Sequence, residues 1–166
     1  MKQVGIGVIG CGLMGRVVIR ELVKQNNKLE IRGIFDPDKG SVKAALDEFN
    51  PNAKVYKDYE SLVKSPDIDW VMIASWNCHH RDQVIAAFKA GKDVFCQKPI
   101  ATNMNDCLAV VRAWKKSGKI FSIGFTLRYS PHYRKVKELL DKGAVGDIIS
   151  MEFNETLNFN HGGYIM

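Results

Sequence analysis

The chain has 166 residues, 46% of them apolar and 25% charged, with a formal net charge of +6. That length supports one well-cored domain with a little left over, not two full ones. The lysines are scattered among acidic and apolar neighbours, unlike a nucleic-acid footprint, and no apolar run reaches membrane-spanning length.

The pattern alternates strand and helix from the first residues. VGIGVIG (4–10) is an apolar strand that opens directly into glycines. LMGRVVIREL (13–22) has helical spacing, with Leu13, Val17, Val18 and Leu22 on one side. Between them Gly10, Gly12 and Gly15 spell G-x-G-x-x-G. Alone that motif is weak. Placed between an apolar strand and an amphipathic helix it is a dinucleotide fingerprint, with a mechanism for each glycine. Gly10 makes the turn, Gly12 lets main chain approach a pyrophosphate, and Gly15 permits close helix–strand packing. The free amides of the helix start, at Leu13, Met14 and Gly15, then face the phosphates.

LEIRGIF (29–35) predicts the second strand, and Asp36 follows at its end, 21 residues beyond Gly15. A carboxylate there can bind both hydroxyls of an adenosine ribose and would repel a 2′-phosphate, so the expected cofactor is NAD over NADP. A glycine loop with an acidic strand end also occurs in S-adenosylmethionine enzymes, and at this point of the chain both classes stay open. Helical spacing over 41–49, a short strand at 53–57 and a helix at 58–64 capped by Asp58 come next.

IDWVMIAS (68–75) is a continuous apolar run, as expected of a central parallel strand. It ends in Ser75, Trp76, Asn77, Cys78, His79 and His80. Adjacent histidines point in different directions and lack metal-ligand spacing, so no metal site is expected. A helix over 80–91, a strand at 93–97, a helix at 103–118 and a strand at 119–125 complete a doubly wound α/β pattern. A further helix is expected at 132–143 and a long strand of a different sheet from Asp147 to 159. The predicted division is a Rossmann domain over 1–124 and the beginning of a second, incomplete α/β domain over 125–166.

The fifth strand runs into Gln97, Lys98 and Pro99. Seen alone, the pair reads as a solvated lysine with proline stopping the strand. Here the strand delivers a cation to the sheet edge where doubly wound folds bind ligands. The four cysteines, 11, 78, 96 and 107, show no zinc-type spacing and read as reduced thiols of a cytoplasmic protein, with packing roles for Cys11 and Cys96.

VIGCGLMG, IFDPD, ASWNCHH, VFCQKPIAT and GFTLRYSPHY resemble, in order and spacing, the Gfo/Idh/MocA oxidoreductases, over essentially the whole chain. The lysine–proline segment argues against methyltransferases. The resemblance implies an N-terminal Rossmann domain followed by an α/β domain with a large open sheet. It implies a dehydrogenase moving a hydride between a secondary hydroxyl of a sugar or polyol and a nicotinamide. By resemblance Lys98 is the catalytic lysine, touching cofactor and substrate. Ser75, Asn77, His80 and Gln97 lie near the cofactor, and Arg128 lines the substrate pocket. An amine beside the nicotinamide can polarise the alcohol oxygen or assist its deprotonation.

Two departures from the family pattern stand out. Gln97 replaces the usual glutamate, and the downstream catalytic aspartate and histidine are absent; His161 lacks their surrounding motif. The competing reading is therefore a non-catalytic NAD-binding module or truncated subunit. An assembly role, with a homo-oligomer formed through the C-terminal sheet, is a third.

Overall fold

The computed structural model describes residues 3–154 and residue 156. Six strands form one parallel sheet: β1 (Val4–Ile9), β2 (Leu29–Phe35), β3 (Lys54–Val55), β4 (Trp70–Ile73), β5 (Asp93–Cys96) and β6 (Phe121–Ile123). Their spatial order is β3-β2-β1-β4-β5-β6. The chain builds outward from β1 in one direction and then, at β4, in the other. The topological switch point thus falls between β1 and β4, where such sheets open a crevice at their carboxyl ends.

Strand side chains alternate between two cores, because successive residues face opposite sides of a sheet. Ile9, Val71, Ile73, Val94 and Cys96 pack in one core with Leu62 of α3 (Tyr59–Val63) and Val84 and Phe88 of α4 (His80–Lys89). Val110 of α5 (Met104–Ser117) joins them. Ile6, Val8, Ile31, Ile34 and Met72 pack in the other core, with Ile19 of α1 (Leu13–Gln25) and Val42 and Ala45 of α2 (Lys39–Glu48). Burial on both faces explains why the strands read as continuous apolar runs.

Caps set the helix starts. The side chains of Asp38, Asp58 and Asn103 accept from the amides of Ser41, Ser61 and Asp106 at 2.7, 2.7 and 3.0 Å. The Asp38 cap begins α2 at Lys39, two residues before the sequence pattern places it. At the amino edge, Lys92 Nζ donates to the carbonyls of Ser65 (2.8 Å) and Ile68 (2.6 Å), closing the turn before β4.

The chain divides into two compact units at Phe125 and Thr126. The second holds a 3₁₀ turn, Thr126–Tyr129, and helix α6, Pro131–Asp141, with proline in the first helical turn. The long strand expected from Asp147 is not formed over 147–154 or at 156. A strand requires a neighbour to take its main-chain hydrogen bonds, and none is present among the described residues. Residues 155 and 157–159 of that expectation, and His161, lie outside the described residues. No described helix is long and apolar enough to cross a membrane.

Candidate functional site

The carboxyl edge of the first unit gathers the glycine loop, Asp36, Ser75, Asn77, Gln97 and Lys98 onto adjacent strand ends. Gly10 adopts φ +91°, and a Cβ on it would lie 2.5 Å from main-chain atoms of Ala74 and Ser75. The β1 turn therefore rests directly on the end of β4, which only glycine permits. A Cβ on Gly15 would sit 2.3 Å from the Gly10 carbonyl oxygen, the close helix–strand packing expected of the third glycine. Gly12 is different. A Cβ there would meet nothing within 4 Å, so its space is open.

Gly12 is the N-cap of α1, which has no side-chain cap and no acid in its first turn. The first amides of a helix have no carbonyl one turn earlier, and they carry partial positive charge. Leu13 is 72% exposed and Met14 45% exposed beside them. An open cradle at an uncapped 13-residue helix start fits a pyrophosphate.

Asp36 closes the other wall. Its Oδ2 accepts from the Cys11 amide at 2.7 Å and its Oδ1 from the Asp38 amide at 2.9 Å. One bond ties the carboxylate to the glycine loop, and each oxygen keeps a second acceptor direction. Cys11 is wholly buried. Burial, then the nearby Asp36 charge, pushes its thiol up to about 12. Burial alone pushes Cys96 to about 12 as well, so both are inert packing groups. Among the described residues no cluster of metal-ligating side chains occurs.

On the β4–β5 side the construction changes. Trp76 is 76% exposed, and Asn77 opens an exposed 3₁₀ turn, Asn77–His79. The Ser75 hydroxyl donates to Gln83 Oε1 at 2.6 Å, and Gln83 is buried on α4. His80 is completely buried, with Nδ1 2.7 Å from the Pro99 carbonyl oxygen and Nε2 3.1 Å from the Ser75 carbonyl oxygen. It presents no surface at this edge. Gln97 is also buried: its Oε1 accepts from the Lys98 amide at 3.2 Å and packs where a Cβ on Gly124 would fall. Lys98 is exposed and precedes a cis peptide to Pro99.

Arg128 belongs to the second unit, where it lines an open groove of about 700 Å³ with Leu127, Tyr133, Arg134 and Lys137. Sequence reasoning missed Gln83 and Gly124. Gln83 lies one helical turn from His80, which is the only signal that could have suggested a buried polar pair.

Residues 4–125 match the oxidoreductase family with the NAD-binding Rossmann fold, Gfo/Idh/MocA. The chain belongs to this family. Inositol 2-dehydrogenase of Gluconacetobacter diazotrophicus is 35% identical over 161 residues, covering 95% of this chain and 48% of the relative. Scyllo-inositol dehydrogenase from Lactobacillus casei, solved with NAD(H) and scyllo-inositol, superposes with a TM-score of 0.82 at 28% identity. That match covers 89% of this chain and 43% of the other. Myo-inositol dehydrogenase from Lactobacillus casei, solved with NAD(H) and myo-inositol, gives 0.81 at 36% identity, covering 87% and 43%. The chain thus spans about half the length of the relatives it matches. It carries the family's NAD-binding Rossmann fold.

Proposed function

We propose that this chain is the cofactor-binding part of an NAD-dependent dehydrogenase acting on a secondary hydroxyl of an inositol-like polyol or a sugar. The observation that carries this reading is the pairing of an open Gly12 cradle just beyond β1 with an exposed Lys98 just beyond β5. With β4 between them, the two strands stand about 10 Å apart along the edge. The inositol substrates and NAD(H) named for the Lactobacillus casei enzymes support the choice of class.

In this reading the amides of Leu13, Met14 and Gly15 hold the diphosphate and Asp36 takes the adenosine ribose hydroxyls. Asp36 favours NAD because its carboxylate repels a 2′-phosphate, and Lys39 is the only cation in the DPDKG segment. Ser75 and Asn77 border the cofactor at the end of β4. Gln97 acts from beneath, through the Lys98 amide. NAD⁺, when bound, supplies the hydride acceptor. Lys98 polarises the substrate oxygen and takes part in moving its proton. Arg128 serves the substrate. The free thiols at Cys11, Cys78, Cys96 and Cys107 fit a reducing cytoplasm.

NAD⁺ reduction with myo-inositol or scyllo-inositol, run beside Lys98→Ala, tests the proposal. Polyol-dependent reduction that is lost in Lys98→Ala supports it. Saturable NADH binding with no reduction on any polyol would instead favour a binding module.

A further inference from the structure

His80 touches no open surface, yet it joins the two strand ends that flank the proposed site. Its ring lies between the Ser75 and Pro99 carbonyls, at 3.1 and 2.7 Å. A neutral imidazole donates from one nitrogen at a time and a doubly protonated one from both. The Ser75 main chain is also the surface on which Gly10 rests, since a Cβ on Gly10 would come within 2.5 Å of the Ser75 nitrogen. Pro99 directly follows Lys98, whose amide is held from the other side by Gln97 Oε1 at 3.2 Å. Gln97 in turn donates its own amide to the Ile73 carbonyl at 2.8 Å. A continuous chain of contacts therefore runs from Gly10 through Ser75, His80 and Pro99 to Lys98.

We infer that His80 is a positioning residue that sets Lys98 relative to the glycine loop, acting through the Pro99 and Ser75 carbonyls and not through contact with the cofactor. The lysine side chain is long and exposed, and its reach is governed by where its main chain is fixed. Reacting groups need a supporting shell of locked polar contacts to stay in register, and His80 places a ring nitrogen within hydrogen-bond distance of each of the two loops. Glutamine at position 80 replaces the rigid ring by a flexible side chain, which does not hold the two carbonyls at a fixed separation. The inference rests on the proposed function, in that Lys98 must face the bound dinucleotide.

Amine acylation followed by peptide mapping, with and without NADH, tests it in the whole chain. NADH is supplied at ten times each protein's own dissociation constant, so that altered affinity drops out. A blocked amine then reacts about tenfold more slowly. The wild type should show that protection at Lys98 and none at Lys116, an exposed lysine of α5. In His80→Gln the protection at Lys98 should fall below about threefold at the same occupancy. Unchanged tenfold protection in His80→Gln overturns the inference and leaves the proposed function standing. Absence of saturable NADH binding by the wild type overturns the proposed function, and this inference with it. Should His80→Gln not fold, the wild type decides by NMR. His80 ring signals that shift when NADH saturates the protein support the clamp, and ring signals that do not move overturn it.

Discussion

On the β2 side of the crevice the walls are main chain. Gly10 lies against the Ala74–Ser75 backbone, Gly15 against the Gly10 carbonyl, and Asp36 holds two loop amides. On the β5 side the walls are held by buried side chains: Gln83 under Ser75, His80 between two carbonyls, Gln97 under Lys98. A backbone-built wall tolerates almost no added atom. A side-chain-built wall tolerates substitution of volume but not of donors and acceptors.

Gly10→Ala should break the first wall outright. Its φ of +91° and a 2.5 Å clash with main chain on β4 leave nothing that can move cheaply. A loss of about 3 kcal/mol or more in urea unfolding is expected. An Ala variant of wild-type stability would mean that the β1 turn is not set by this contact.

Gln83→Leu probes the second wall. It keeps the volume and removes the acceptor 2.6 Å from the Ser75 hydroxyl, and a loss of about 1–2 kcal/mol in the same assay is expected. A larger loss than that of Gly10→Ala would invert the contrast between the walls. Asp36→Asn sharpens it from the side of charge. The neutral amide should weaken NADH binding and narrow the preference over NADPH by about tenfold, which corresponds to about 1.4 kcal/mol. A preference that does not change would remove Asp36 from cofactor selection.

The smallest effects are in the caps and thiols, and they have opposite pH signs. The Ser61 hydrogen bonds lower the Asp58 pKa below the ordinary carboxylate range. Stability from that cap is present above the unfolded value, near 4, and is lost as pH falls through the lowered value. Cys11 and Cys96, pushed up to about 12, stay neutral when folded. Their contribution is complete below the unfolded thiol pKa and fades as pH rises above about 9. The wild-type advantage over Asp58→Ala should shrink at the acid end of a melting profile, and the pH-dependent part of its advantage over Cys96→Ala should shrink at the alkaline end.

The same contrast explains what was legible in the chain. Gly10, Gly12, Gly15 and Asp36 could be read because a main-chain site leaves glycines and a strand-end acid at fixed spacing. The Lys98-Pro99 pair was legible by position and resemblance. The burial of His80 and Gln97 was not, since nothing local distinguishes a histidine facing a ligand from one facing two carbonyls. That difference depends on β4 and β5 being neighbours, a tertiary fact. The strand expected from Asp147 failed for a related reason: apolar alternation describes a face, and a strand also needs a partner edge.

NADH titration of the wild type beside Gly12→Val tests the central claim most directly, because Gly12, alone of the three loop glycines, opens onto unfilled space. A Cβ there meets no protein atom within 4 Å, and the change of N-cap residue should cost less than about 1–2 kcal/mol of stability. Saturable binding by the wild type and at least a tenfold loss in a Gly12→Val protein that still folds are expected. Equal binding by the two proteins would contradict that claim, placing the dinucleotide away from the glycine loop.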